Sequence, residues 1–115
     1  MYDARLRIEG SGPLLVLVPG MDGTGKLFYR QVPLLARHHR VVSYALREDA
    51  TGMDVMVEDL AQIIRGAAAP GERAIVLGES FGGAVALSFA LAHPELVARL
   101  VIVNSFPRFL PQGRL

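Results

Sequence analysis

The chain has 115 residues, the length of one domain. Apolar side chains make up 51% of it and charged ones 20%, a balance too apolar for a disordered segment. Its 12 Lys and Arg stand singly against 11 Asp and Glu, so no basic run exists to neutralise nucleic-acid phosphates, and with no Cys it can build neither a disulfide framework nor a thiolate nucleophile or zinc site.

The opening stretch MYDARLRIEG carries no apolar core of a secretory leader, and no segment reaches the roughly 18 apolar residues of a membrane span. The expectation is a soluble cytoplasmic protein. Residues 4–9 alternate loosely as a short strand. Leu14 to Val18 reads LLVLV and is closed by Pro19-Gly20, the pattern of a parallel strand buried on both faces. From Lys26 to His38 the apolar residues Leu27, Phe28, Val32, Leu34 and Leu35 recur at helical spacing, with Pro33 starting or kinking the helix. Val41 to Leu46 has strand composition. Met53 to Ala67 is amphipathic, with Met53, Met56, Val57, Leu60, Ile63 and Ile64 on one stripe, and Pro70-Gly71 ends it. Ala74 to Leu77 then reads as a strand, Phe81 to Ala92 as a helix and Leu100 to Val103 as another buried strand. Strands alternating with helices at these lengths call for crossover connections, hence an α/β fold on a mostly parallel sheet of about five strands.

Between the strand ending at Leu77 and the helix starting at Phe81 lies Gly78-Glu79-Ser80-Phe81-Gly82-Gly83, a G-x-S-x-G pattern on a strand-to-helix turn. A side chain lifted on so sharp a turn needs neighbours without bulk, which Gly78 and Gly82 supply. The turn carries the Ser80 hydroxyl to the carboxyl edge of the sheet, where open α/β sheets bind ligands, and the Phe81 amide opens the following helix. With these residues in place the chain resembles the α/β-hydrolase superfamily over nearly its whole length. LLVLV followed by Pro19-Gly20-Met21-Asp22-Gly23 looks like that family's oxyanion loop, GESFGG like its nucleophile elbow, and Ala92-His93-Pro94-Glu95 with the strand after it like its next crossover. The resemblance implies Ser80 as nucleophile, the backbone N–H groups of Met21 and Phe81 as oxyanion hole, and Gly78 and Gly82 as elbow glycines. It further implies hydrolysis of a carboxylic ester or a related acyl transfer on a small-molecule substrate, without metal or organic cofactor. Asp22 reads as a loop cap.

A serine hydroxyl needs a base oriented by an acid, and in this family both follow the nucleophile in the chain. After Val103 the sequence holds no Asp, Glu or His, and the position after that strand is Asn104. His38 and His39 close the first helical stretch, where imidazole meets terminal carbonyls, and His93 ends the helix that begins beside Ser80. The chain therefore reads as the N-terminal part of such a hydrolase, residues 1–115 forming a partial domain that is inactive alone, with a sheet edge at Leu100 to Val103 open to self-association. Two rivals stand beside it. Gly20-Met21-Asp22-Gly23-Thr24-Gly25-Lys26 matches G-x-x-x-x-G-K, the phosphate-binding P-loop, although Leu27 replaces the hydroxyl residue that would hold magnesium. A non-catalytic association module would keep the fold and not depend on Ser80. The closing residues Phe106, Pro107, Phe109, Leu110 and Pro111 read equally as the start of a substrate cap or a loose tail.

Overall fold

The computed structural model describes residues 4–20, 22–49 and 51–105. They form a five-stranded sheet in the order β1-β3-β2-β4-β5. The strands are β1 (Leu6–Glu9), β2 (Leu14–Val18), β3 (Arg40–Tyr44), β4 (Ala74–Glu79) and β5 (Val97–Val103). β1 runs antiparallel to β3, and β2 pairs parallel with both β3 and β4, as β4 does with β5. Parallel strands need long returns, and α2 (Met53–Ala67) and α3 (Phe81–Ala92) provide two of them. β2 lies at the centre with all five residues buried, as its unbroken apolar run requires.

Strand alternation divides the core in two. Leu14, Val16 and Val18 of β2, with Val42, Tyr44 and Val76, pack beneath Val57, Leu60 and Ile64 of α2 and Val85 and Phe89 of α3. Leu15, Leu17 and Val41 face the other way, against Phe28 and Val32. That second layer is thin because the segment expected to be one helix from Lys26 to His38 is broken into a 3-10 turn at Lys26–Phe28 and a single α-helical turn, α1 (Val32–Leu35). Gly25 enters in the left-handed region at φ 73°, no side chain caps the start, and Pro33 removes an amide from the first turn of α1. Leu27 and Leu34, read as part of an apolar stripe, are exposed as a result.

The other elements lie close to their sequence readings. β4 runs on through Gly78 and Glu79 because β5 pairs with it out to Val103, and β5 starts at Val97, earlier than Leu100, with Arg99 interrupting its apolar run. Leu100 to Val103, read as a buried strand, is not buried: Val101, Ile102 and Val103 are exposed, because β5 is the edge of the described sheet and pairs on one side alone. At the amino end of the sheet, Glu72 accepts from the amides of Leu14 and Ala69 at 3.3 and 3.0 Å and pairs with Arg40, whose guanidinium also donates to the Gly12 carbonyl at 2.9 Å. Near the opposite end Arg5 grips the buried carboxylate of Asp59 with two bonds, 2.7 and 2.9 Å, and so fastens the start of the chain to α2.

Candidate active site

Ser80 stands where β4 turns into α3, with φ 57° and ψ −128°. A side chain at positive φ outside the ordinary left-handed basin costs about 1–3 kcal/mol and persists only where the surroundings hold it. Three hydrogen bonds hold it here. The Ser80 amide donates to the Val103 carbonyl at 3.0 Å, the Gly83 amide donates to the Ser80 carbonyl at 2.9 Å, and the Ser105 hydroxyl donates to that same carbonyl. Pairing of β5 with β4 brings Val103 into line, and Ser105 follows two residues later.

The glycines act through space as well as conformation. A Cβ on Gly78 would fall on the Gly82 carbonyl, and one on Gly82 on the Val18 carbonyl. These contacts let α3 start in direct contact with the sheet and put its positive end beside Ser80. Phe81 is the first residue of that helix. Gly83 is equally tight, since a Cβ there would meet the side chain of Ser105. Ser105 was not singled out from the sequence: its role rests on the reach of β5, and no motif marks it.

The loop after β2 also arrives at the serine. A Cβ built on Gly20 would lie 3.6 Å from the Ser80 Cβ and 3.3 Å from the Glu79 carbonyl oxygen. Met21, the second expected amide donor, lies outside the described residues, as do Phe106 to Leu115. Asp22 caps the loop, accepting from the Thr24 amide at 3.1 Å and from the Thr24 hydroxyl. A nucleotide-binding reading of this loop fails on its geometry. Lys26 opens a three-residue 3-10 turn, so no row of helical amides follows the glycines to cradle a phosphate chain.

Among the described residues no imidazole is brought to Ser80. His38 and His39 precede β3 at the amino end of the parallel strands, with His39 Nδ1 3.2 Å from the Leu35 carbonyl oxygen, whereas Ser80 follows the carboxyl end of β4. His93 lies at the far end of α3, its Nε2 3.0 Å from Glu58 and its Nδ1 3.4 Å from Glu95. Glu95 is held below the ordinary carboxylate range, first by its own backbone amide and also by His93. Asn104 follows β5 at φ 49°. With Glu79, Val103, Leu77, Leu17 and Phe28 it lines a largely apolar cavity of about 410 Å³ at the carboxyl ends of the strands. No group of three or more His, Asp or Glu among the described residues is arranged to hold a metal, and no helix there is long and apolar enough to cross a membrane.

The family model described as alpha/beta hydrolase fold matches residues 13–114. A protein of Serratia proteamaculans named "Putative carbamate hydrolase RutD" is 33% identical over 111 residues, covering 89% of this chain and 41% of its own length. Its namesake from Cronobacter sakazakii is 38% identical over 105 residues, covering 82% and 38%. Among solved structures, a hydrolase from Pseudomonas aeruginosa superposes with a TM-score of 0.81 at 28% identity, over 92% of this chain and 43% of that one. A marine microorganism esterase superposes with a TM-score of 0.75 at 27% identity, over 84% and 40%. The chain thus spans about two fifths of the length of the relatives it matches.

Proposed function

Because the chain belongs to the alpha/beta hydrolase fold family, we propose that it is the nucleophile-bearing part of a serine hydrolase that cleaves a small acyl compound, a carboxylic ester or the chemically related carbamate. The observation that carries this reading is the backbone of Ser80, strained at φ 57° on the turn from β4 into α3 and braced by Val103, Gly83 and Ser105. Strain maintained by so many contacts has a use, and presenting a nucleophile is the use that suits this position.

In this reaction the Ser80 Oγ forms a bond to the acyl carbon, the carbonyl π pair moves to oxygen, and the hydroxyl proton passes to a base. We assign stabilisation of the developing oxyanion to the Phe81 amide, at the positive end of α3, and, from the family resemblance of the sequence, to the Met21 amide. The leaving alkoxide or amine takes up the proton, and water then releases the acyl group by the same steps. We assign the base and its orienting acid to sequence corresponding to the part of the longer relatives that this chain does not span, and the elbow glycines Gly78 and Gly82 to positioning Ser80. Relatives named for carbamate and ester hydrolysis support an acyl substrate, and the apolar cavity beside Glu79 and Asn104 supports one with a hydrocarbon portion.

The test is covalent labelling of the purified chain with a fluorophosphonate, read by mass spectrometry, beside p-nitrophenyl acetate hydrolysis. Removing the base of a triad costs about 10⁶ in turnover, while about 10³ to 10⁴ over water survives from oxyanion stabilisation and binding. Slow labelling confined to Ser80, together with weak ester hydrolysis lost in Ser80→Ala, is the expected result. Equal labelling and hydrolysis in Ser80→Ala overturns the assignment.

A further inference from the structure

A second cavity, of about 450 Å³, lies away from the elbow, between the β1 edge of the sheet and the segment that precedes β3. Its floor follows from strand register. Arg7 of β1 stands directly opposite Ser43 of β3, and opposed residues of an antiparallel pair share a face with their Cβ atoms about 5 Å apart. Alternation from Val41 puts that face on the side of Phe28 and Val32, away from α2. Ser43 is only 8% exposed, and its hydroxyl has no hydrogen-bond partner among the described residues although it lines the cavity. Its oxygen is not sealed off, since among the described residues the Tyr44 hydroxyl is the buried side-chain polar atom without a partner, so the Ser43 hydroxyl opens on the cavity with its donor free.

The opposite wall is the glycine-rich loop that first suggested phosphate binding. Gly25 sits against the Tyr44 backbone, where a Cβ would fall on the Tyr44 carbonyl, and the Leu46 amide donates to the Gly23 carbonyl at 2.7 Å. Asp22 and Thr24 brace the loop from within, and the Thr24 hydroxyl accepts from the Lys26 amide at 3.1 Å. Lys26 is thereby fixed at the cavity wall although its side chain makes no ion pair among the described residues, and the same holds for Arg7. Arg5 also lines the space, but its guanidinium is committed to Asp59. Glu9 is the single acid of the lining, and Tyr29, Val32 and Pro33 complete it with apolar surface.

We propose that this cavity binds a small organic oxyanion, a carboxylate or phosphate carried on a compact apolar body. Arg7 grips the oxygens in the paired manner a guanidinium allows, Lys26 adds a point charge, and the Ser43 hydroxyl donates from the floor. The apolar body rests on Tyr29, Val32 and Pro33. Ser80 is not part of the lining, so the site is independent of the proposed nucleophile and stands whether or not that assignment holds.

The experiment is titration of the purified 115-residue chain with phenyl phosphate, benzoate and inorganic phosphate, followed by amide chemical shifts and by calorimetry. Saturable shifts at the Gly25, Lys26 and Ser43 amides are expected with at least one of the two aromatic probes, with affinity falling as salt rises. Tighter binding of phenyl phosphate identifies a phosphate-bearing ligand, and tighter binding of benzoate a carboxylate; either supports the site. Both cations are exposed, so Arg7→Glu and Lys26→Glu leave the fold intact; each weakens binding by about tenfold or more. Ser80→Ala binds as the parent does. Absence of saturable shifts at those amides, or unchanged affinity in both charge-reversed variants, overturns the proposal.

Discussion

Tyr44 ends β3 only 2% exposed, and its hydroxyl has no hydrogen-bond partner among the described residues. Burial pushes the phenol well above its ordinary value near 10.0, and the carboxylate of Asp59 pushes in the same direction. The sign of the consequence follows from which state holds the proton. Below the ordinary value the phenol is neutral in folded and unfolded chains alike, whereas above it only the unfolded chain releases the proton, so stability falls as pH rises. Tyr44→Phe removes both the orphaned hydroxyl and this slope. In urea denaturation at pH 7 the variant is expected to be more stable by about 1 kcal/mol, with the gap widening above pH 10. A loss of stability would mean that the hydroxyl is satisfied after all. Residue-level legibility was uneven for related reasons. Ser80 was readable because a strained turn requires glycines at fixed spacing, and Asp22 because a short carboxylate caps the amide two residues on. Ser105, the approach of Gly20 and the solitary hydroxyl of Ser43 depend on strands distant in sequence, and nothing local marks them.

At the scale of elements, the closeness of β4 and α3 decides whether the serine turn exists at all. Gly78→Ala would press a methyl group into the Gly82 carbonyl, a backbone atom that cannot swing aside. We expect a loss of about 2 kcal/mol or more in urea denaturation, with any Ser80-dependent labelling lost alongside. A variant as stable as the parent would show that the turn can open without cost. The α2 and α3 boundaries were legible because one has a clean apolar stripe ended by Pro70-Gly71 and the other begins at the elbow. The segment from Lys26 to His38 misled because Leu27, Phe28, Val32, Leu34 and Leu35 keep helical spacing whether or not the backbone does. Gly25 at positive φ and Pro33 in the first turn of α1 settle it as two short turns.

Over the whole molecule, protection radiates from β2. Its residues are buried without exception and it pairs on both sides, while β1 and β5 close the described sheet. In hydrogen exchange the amides of Val16 and Leu17 are therefore expected to outlast those of β1 by orders of magnitude, and comparable rates in the two strands would contradict a single cooperative core. The parallel α/β order was legible from the alternation of apolar runs and amphipathic stretches, but the unequal coverage of the two faces was not, because it depends on one segment failing to become a helix. The two margins of the sheet also differ in kind. β1 is four residues long, antiparallel and dotted with Arg7 and Glu9, features that discourage another strand from joining, whereas β5 is seven residues, parallel and mostly apolar. Of the two margins, β5 is thus the one with fewer obstacles to a further strand. Since the Val103 carbonyl anchors the Ser80 amide, the open margin of the sheet and the strained turn at Ser80 are held by one and the same strand.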